Sequence, residues 1–281
     1  MGKPFRVAVK ICSASMSELI RTITLLTDFG TRDPFVAELK AVIVSLCPDA
    51  RIIDITHEVE RFNIRMGAFL LSSASPYFPA GTTHLAVVDP GVGTARRPIL
   101  VETGRSLYVG PDNGLLIPAA STQKILHVYE LTNRSLMLET VTSTFHGRDI
   151  FAPVAAHLAS GTKPIEVGRE ILDYVQPPFT PPTPYRHGFE CEVLHVDNFG
   201  NIIVNISAEH VEELRLDERG KLRVHGKRIR LRFVRTFSDL REREFGVLLG
   251  SHGLLEIVCR ESSAAGALRI KTGDVLRLDG V

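Results

Sequence analysis

Leu85-Ala86-Val87-Val88-Asp89-Pro90-Gly91-Val92-Gly93-Thr94-Ala95-Arg96-Arg97 is the stretch on which the reading of the fold turns. Its first four residues form a continuous apolar run, the pattern of a buried strand. Asp89 stands where that strand gives out, and Pro90, with no N–H to donate, ends the ladder. Gly91 and Gly93 permit a tight turn and a close backbone approach to a ligand. Arg96 and Arg97 close the loop. Ligands of open α/β sheets bind beyond the carboxyl ends of the strands, so Asp89 with an arginine a few residues on is a candidate acid–base or orienting pair. The plainer reading is a loop with a surface ion pair, and this stretch alone does not separate the two.

Four other stretches share its character: Thr27-Asp28-Phe29-Gly30, Pro111-Asp112-Asn113-Gly114, Ser143-Thr144-Phe145-His146-Gly147-Arg148-Asp149 and Asp197-Asn198-Phe199-Gly200-Asn201. Each sets charged or polar groups beside a glycine, and most follow a short apolar run. Together they point to one shared pocket.

Residues 23–26 predict a first strand. Asp33 and Pro34 predict a helix start, Asp33 as the cap and Pro34 at the first helical position, with Phe35, Leu39 and Val42 on one helical face beside Ile43. Strands are predicted at 50–55, 84–88, 98–101, 107–109 and 126–131, and helices at 64–74, with Phe69 and Leu70 toward the core, and at 149–159. This alternation predicts an α/β N-terminal domain with a central, mostly parallel sheet over residues 23–175. Five prolines within 176–184 mark a stiff linker, set at 176–188. Short β-branched runs at 189–196, 201–206, 221–224, 229–234, 246–249, 254–258 and 275–278 then predict a smaller all-β barrel C-terminal domain over 189–281. Residues 1–22 hold too short an apolar stretch for a signal peptide and read as an N-terminal extension.

The totals restrict the class. The 281 residues suggest two domains at ~150 each, and 44% hydrophobic residues suffice for a core without metal or disulfide staples. A net charge of +1 gives no polyanion-binding field, so no nucleic-acid partner is expected. No apolar run reaches the ~18 residues of a membrane helix. Cys12, Cys47, Cys191 and Cys259 form no C-x-x-C pair and read as reduced thiols of a cytoplasmic protein.

Six motifs in order resemble the S-adenosylmethionine hydroxide adenosyltransferases, relatives of the fluorinase and chlorinase enzymes: TDFG at 27–30, DPGVGTARR at 89–97, PDNG at 111–114, STFHGRDIF at 143–151, DNFGN at 197–201 and GSHGLLEI at 250–257. The resemblance runs from Ile23 to the C-terminus. It implies an α/β domain followed by a β-barrel, no cofactor, and a homotrimer whose sites lie between one subunit's N-terminal domain and its neighbour's C-terminal domain. The implied reaction is hydrolysis of S-adenosylmethionine to adenosine and methionine. Carried over by position, Asp89, Arg96 and His146 match the family's water-activating set. Asp28 would bind the ribose hydroxyls, and Phe62 would pack near the methionine moiety. Phe145 would lie near the reacting carbon, Asp197 and Ser251 would hold the amino-acid end, and Asn201 would bind adenine. Cys259-Arg260-Glu261 matches the family's adenine-clasping segment only loosely. Asp89 stands where the fluorinase has a tyrosine, and Gly147 where it has a halide-contacting serine. A carboxylate there repels fluoride or chloride and suits water.

The chemistry asks little of the leaving group, because a sulfonium departs as a neutral thioether. Water must sit ~3–3.5 Å from C5′, in line with sulfur, and lose a proton; with a bulk pKa of ~15.7 it needs help. His146 is suited by type to take a proton near neutral pH, and Asp89 and Arg96 to orient and polarise; sequence does not choose among the three. Two rivals remain. Asp28, Asp89, Asp112 and His146 are ligand types of a metal-dependent hydrolase, although no H-E-x-x-H or compact ligand pair is present. A non-catalytic adenosine or S-adenosylmethionine binding module would need neither Arg96 nor His146. Asp28 and Asn201 have plainer readings as turn residues, and Phe62 and Phe145 as core. His57, His84, His187 and His195 read as structural or surface.

Overall fold

The computed structural model describes residues 21–177, 179–185, 188–214, 221–224 and 227–279. The predicted extension therefore lies outside the described residues except for Arg21 and Thr22, and so does His187.

Seven strands form the N-terminal sheet: β1 (Thr22–Thr27), β2 (Arg51–Thr56), β3 (Thr83–Val87), β4 (Pro98–Thr103), β5 (Leu107–Pro111), β6 (Ile125–Leu131) and β7 (Gly168–Glu170). Their order is β2-β1-β3-β5-β4-β6-β7. The first three pairings are parallel and the last three antiparallel. The expected parallel sheet is thus half of a mixed one. The reason is chain length: only residues 104–106 join β4 to β5, whereas a parallel return needs a crossover of roughly a dozen residues or more.

Period-two alternation divides the sheet between two cores. Leu85 and Val87 of β3 face one with Ile23, Leu25, Leu100 and Val109, covered by Leu39 and Ile43 of α1 (Phe35–Leu46). Ala86 and Val88 face the other with Leu26, Ile99, Val101 and Tyr108. Ala68 and Leu71 of α2 (Ile64–Ala74) and Ile117 of α3 (Ile117–Ser121) cover it. Each such leucine or isoleucine contributes about 1.5–3 kcal/mol through its burial. Helix α4 (Ala152–Ala159) packs on the α1 side.

Three local expectations in this half are corrected. Asp33 does not cap α1; Pro34 occupies the cap position without a side-chain bond, and Val36, Leu39 and Ile43 are the buried residues. Phe35 is instead 42% exposed, because its ring packs edge-on against Phe29 and Phe145 outside the sheet core. The helix predicted from 149 begins as a π-helical turn, Gly147–Phe151, before α4. Such wide turns are frequent at functional sites.

The C-terminal strands are β8 (Thr183–Tyr185), β9 (Gly188–Val196), β10 (Ile202–Ser207), β11 (Lys221–Val224), β12 (Lys227–Arg230), β13 (Arg232–Phe233), β14 (Phe245–Leu249), β15 (Leu254–Cys259) and β16 (Val275–Asp279). They pair in the order β12-β11-β16-β9-β10-β15-β14-β13, with β8 also on β9. Among the described residues β12 and β13 are the ends of this path, so the sheet is a curled half-barrel. The run predicted at 229–234 divides at the buried Leu231. Helices α5 (Ala208–Leu214) and α6 (Ala264–Leu268) carry too few residues to show a period in sequence. Helix α2 joins the two halves: Phe69 packs with Leu194 and Ile203, and Arg65 pairs with the buried Glu192. Among the described residues no helix is long and apolar enough to cross a membrane.

Candidate active site

The parallel strands β1, β3 and β5 end side by side, and each is followed by an acid: Asp28, Asp89 and Asp112. Asp89 accepts from Arg96 Nε at 3.1 Å and from Arg96 Nη2, a bidentate pair. Arg96 Nη2 also lies 3.0 Å from His146 Nδ1. The Asp89 and Arg96 side chains are 5% and 7% exposed, so the surface ion-pair reading of this loop does not hold. The guanidinium also lies over the Phe151 ring, 5.3 Å from its centroid. Gly93, at φ +78°, lets the loop pass the chain at Ser143, where a Cβ would lie 2.5 Å from the Ser143 carbonyl oxygen.

A buried charge pair persists only when its hydrogen bonds are nearly complete. Arg96 leaves one donor over: Nη1 is buried and has no hydrogen-bond partner. Burial, and then the Arg96 charge, hold His146 below its ordinary pKa. A guanidinium donates and never accepts. Neutral His146 therefore receives Arg96 at Nδ1 and carries its own hydrogen on Nε2.

The loop bearing Phe145 and His146 is closed by a residue the sequence reading passed over. Asp149 is fully buried and accepts from Thr142 N at 2.8 Å, Thr142 Oγ1 at 2.6 Å and Arg148 Nε at 2.7 Å. Burial opposes its charge, but the Arg148 and Thr142 bonds hold its pKa below the usual range. Arg148 reaches on to Glu38 of α1 and lies over the Phe145 ring. Phe145 completes an edge-to-face trio with Phe29 and Phe35. An acid three residues after His146, next to an arginine, was the available sequence signal.

Asp28 accepts from Phe62 N at 2.9 Å. Burial raises its pKa, the Phe62 bond lowers it, and the nearby Asp89 charge adds to the rise. Phe62 adopts φ 65° and is 68% exposed, so it is neither core nor an ordinary loop residue. Asp112 belongs elsewhere: it is buried, pairs with Arg97 and accepts from Val175 N at 2.8 Å. Asn113 donates to Val88 O at 2.8 Å, bracing the end of β3. Among the described residues no group of three or more His, Cys, Asp or Glu is placed to hold a metal ion.

The C-terminal candidates form a second group. Asp197 Oδ1 accepts from Phe199 N and Asn201 N, and Oδ2 from Asn201 Nδ2 at 2.9 Å. Ser251 stands exposed on the turn between β14 and β15. Glu256, raised in pKa by burial and then by Asp197, is a second carboxylate beside this group. Among the described residues no hydrogen bond or ion pair links Asp197, Asn201 or Ser251 to the Asp89–Arg96–His146 cluster.

Residues 23–168 match the N-terminal domain, and residues 191–277 the C-terminal domain, of the SAM hydroxide adenosyltransferase family. An (R)-S-adenosyl-L-methionine hydrolase of Salinispora tropica is 42% identical over 263 residues, covering 91% of this chain and 97% of the relative. A Nocardia brasiliensis fluorinase is more distant, at 28% identity over 89% of this chain and 94% of its own. A Thermotoga maritima crystal structure superposes with a TM-score of 0.86 at 38% identity, covering 92% and 99% of the two chains. The chain belongs to the SAM hydroxide adenosyltransferase family.

Proposed function

We propose that this protein is an enzyme that hydrolyses S-adenosyl-L-methionine to adenosine and L-methionine, by attack of a water oxygen on ribose C5′. One observation carries the reading: a buried arginine, clamped on Asp89 and facing His146, keeps an unpaired Nη1 donor. A binding module gains nothing from that arrangement. A reaction that generates oxyanion character gains a fixed, dry, cationic donor, the type of group that stabilises developing charge most effectively.

In the proposed step the C5′–O bond forms as C5′–S breaks, and the electron pair stays on sulfur as the neutral thioether of methionine. The water loses a proton. Arg96 cannot take it, and His146 in the tautomer set by Arg96 presents N–H rather than a lone pair. Asp89 retains free lone pairs and is the acceptor, with His146 orienting the water. Asp28 binds the ribose hydroxyls, Phe145 packs beside the reacting carbon and Phe62 beside the methionine chain. Asp197 and Ser251 hold the amino-acid end, and Asn201 holds adenine.

We take the working unit to be a homotrimer with sites between subunits. The lack, among the described residues, of any hydrogen bond between the two residue groups supports this, as do the exposed Phe62 and Phe199, at 68% and 78%. A division into domains at 23–175 and 189–281 fits the same picture. Buried, unbridged Cys47, Cys191 and Cys259 support a cytoplasmic setting.

The test is incubation of the pure protein with S-adenosylmethionine in ¹⁸O-labelled water, with EDTA and with or without chloride. Adenosine labelled at the 5′-hydroxyl, plus methionine, is the expected result. Formation of 5′-chloroadenosine would refute the role given to Asp89. Loss of turnover in EDTA would favour a metal-dependent hydrolase, and tight binding without turnover a binding module.

A further inference from the structure

Thr27 and His57 have no part in the roles above, yet they form a hydrogen-bonded chain at the base of the Asp28 turn. Thr27 ends β1, His57 follows β2, and both side chains are buried. Thr27 Oγ1 and His57 Nδ1 lie 2.8 Å apart. His57 Nε2 lies 3.2 Å from Asp54 Oδ1, and Lys40 Nζ donates to Asp54 Oδ2 at 2.6 Å.

The chemistry of the groups fixes the direction of each bond. Asp54, which can only accept when ionised, lies at ion-pair distance from His57 Nε2 without a formed hydrogen bond and favours the hydrogen on that nitrogen. With the hydrogen on Nε2 the lone pair stands at Nδ1, and the Thr27 hydroxyl donates into it. That leaves the Thr27 oxygen free to accept from Phe29 N, 3.3 Å away. Two backbone bonds flank the chain: Gly30 N to His57 O at 2.8 Å and Val59 N to Thr27 O at 3.4 Å. Thr27 and Gly30, which bracket Asp28, are therefore tied to the chain just after β2. The buried Thr27 hydroxyl and His57 imidazole, held by these bonds and backed by the exposed Asp54 carboxylate, make a stiff support.

We propose that Thr27 and His57 are positioning residues that aim the Asp28 carboxylate at the ribose hydroxyls of the nucleoside. The proposal rests on the reading of Asp28 as the ribose ligand. A purely structural role for the chain predicts equal damage to every ligand. A positioning role predicts damage only to ligands that have the hydroxyls.

Calorimetric titration of the full-length protein with adenosine and with 2′,3′-dideoxyadenosine separates these. Wild type should bind adenosine more tightly. Thr27→Val, similar in shape but without the hydroxyl, should weaken adenosine by about three- to tenfold, the worth of one neutral hydrogen bond, and leave dideoxyadenosine unchanged. Thr27→Ser should restore wild-type binding. His57→Gln, which can reach Asp54 but offers no acceptor at the Nδ1 position, should reproduce the loss if Thr27→Val does not fold. Equal weakening of both nucleosides, or unchanged adenosine binding in the variants, would overturn the proposal while the Asp28 role stands. A wild-type protein that binds the two nucleosides equally would overturn the Asp28 role and the proposal with it.

Discussion

Replacing Arg96 with lysine removes geometry while keeping charge, and so tests the centre of the site. Arg96 spends Nε and Nη2 on Asp89 and shares Nη2 with His146. A lysine ammonium at that depth can meet Asp89 at one point, but it cannot reproduce the fork, the His146 bond and the spare Nη1 donor together. The Coulomb attraction for Asp89 survives, at about 4 kcal/mol for 4 Å and an effective dielectric constant of 20. What is lost is at least one charge-assisted bond to Asp89 and the bond to His146, each worth about 1.5–3 kcal/mol. If these act chiefly in the transition state, a loss of about 3–4 kcal/mol lowers kcat by roughly 10²–10³-fold. KM should stay within about threefold, because uniform binding is untouched. Steady-state kinetics by chromatography of adenosine, with a thermal melt to show that the variant is folded, is the assay. A folded R96K protein with near-normal kcat and a raised KM would refute the reasoning, since Arg96 would then be a binding residue.

Three further outcomes follow from other contacts. Asp89→Asn should abolish turnover more completely than His146→Asn, whose amide oxygen can still receive Arg96; the reverse order in kcat would move the proton acceptor to His146. His84 is fully buried, bonded to Thr24 at 2.7 Å and stacked on Tyr108, and burial pushes its pKa down to about 4. Between pH 6.5 and 4 the unfolded chain binds the extra proton, so stability should fall by about 3 kcal/mol as pH drops through that window; parallel urea curves for wild type and His84→Gln at pH 7 and pH 4.5 would contradict this. Gly200→Ala should lower the melting temperature and weaken substrate binding, because at φ +83° its Cβ would lie 2.0 Å from Ser263 Oγ, a clash plus left-handed strain of about 2–4 kcal/mol; an unchanged melting temperature would show that the Asp197–Asn201 turn yields freely.

What sequence made legible was set by the range of the interaction. Period and punctuation are local, so α2 emerged at its observed bounds and β3 within a residue of its own. Phe35 escaped because its partners, Phe29 and Phe145, come from a strand end and a distant loop. A helical-face argument for one helix cannot contain them. The mixed character of the sheet was available in principle from the brevity of residues 104–106, which permits a hairpin and forbids a parallel crossover.

The same distinction explains the site. Motif order named Asp89, Arg96 and His146, but their chemistry depends on which nitrogen meets which oxygen, and that is decided by burial. With Asp89 and Arg96 nearly sealed from solvent, every donor and acceptor must be assigned, and the assignment makes His146 a donor at Nε2 although its residue type suggested a base. Asp149 shows the converse. Its carboxylate has no reactive role to advertise, yet three bonds to it shape the loop on which His146 sits. Its contribution should therefore be to where the imidazole lies and not to whether a proton moves. In the proposed site, Asp149 and the Thr27–His57 pair would stand to the reacting groups as a frame does, invisible to a search for chemistry-bearing residue types and evident once buried polar atoms are followed to their partners.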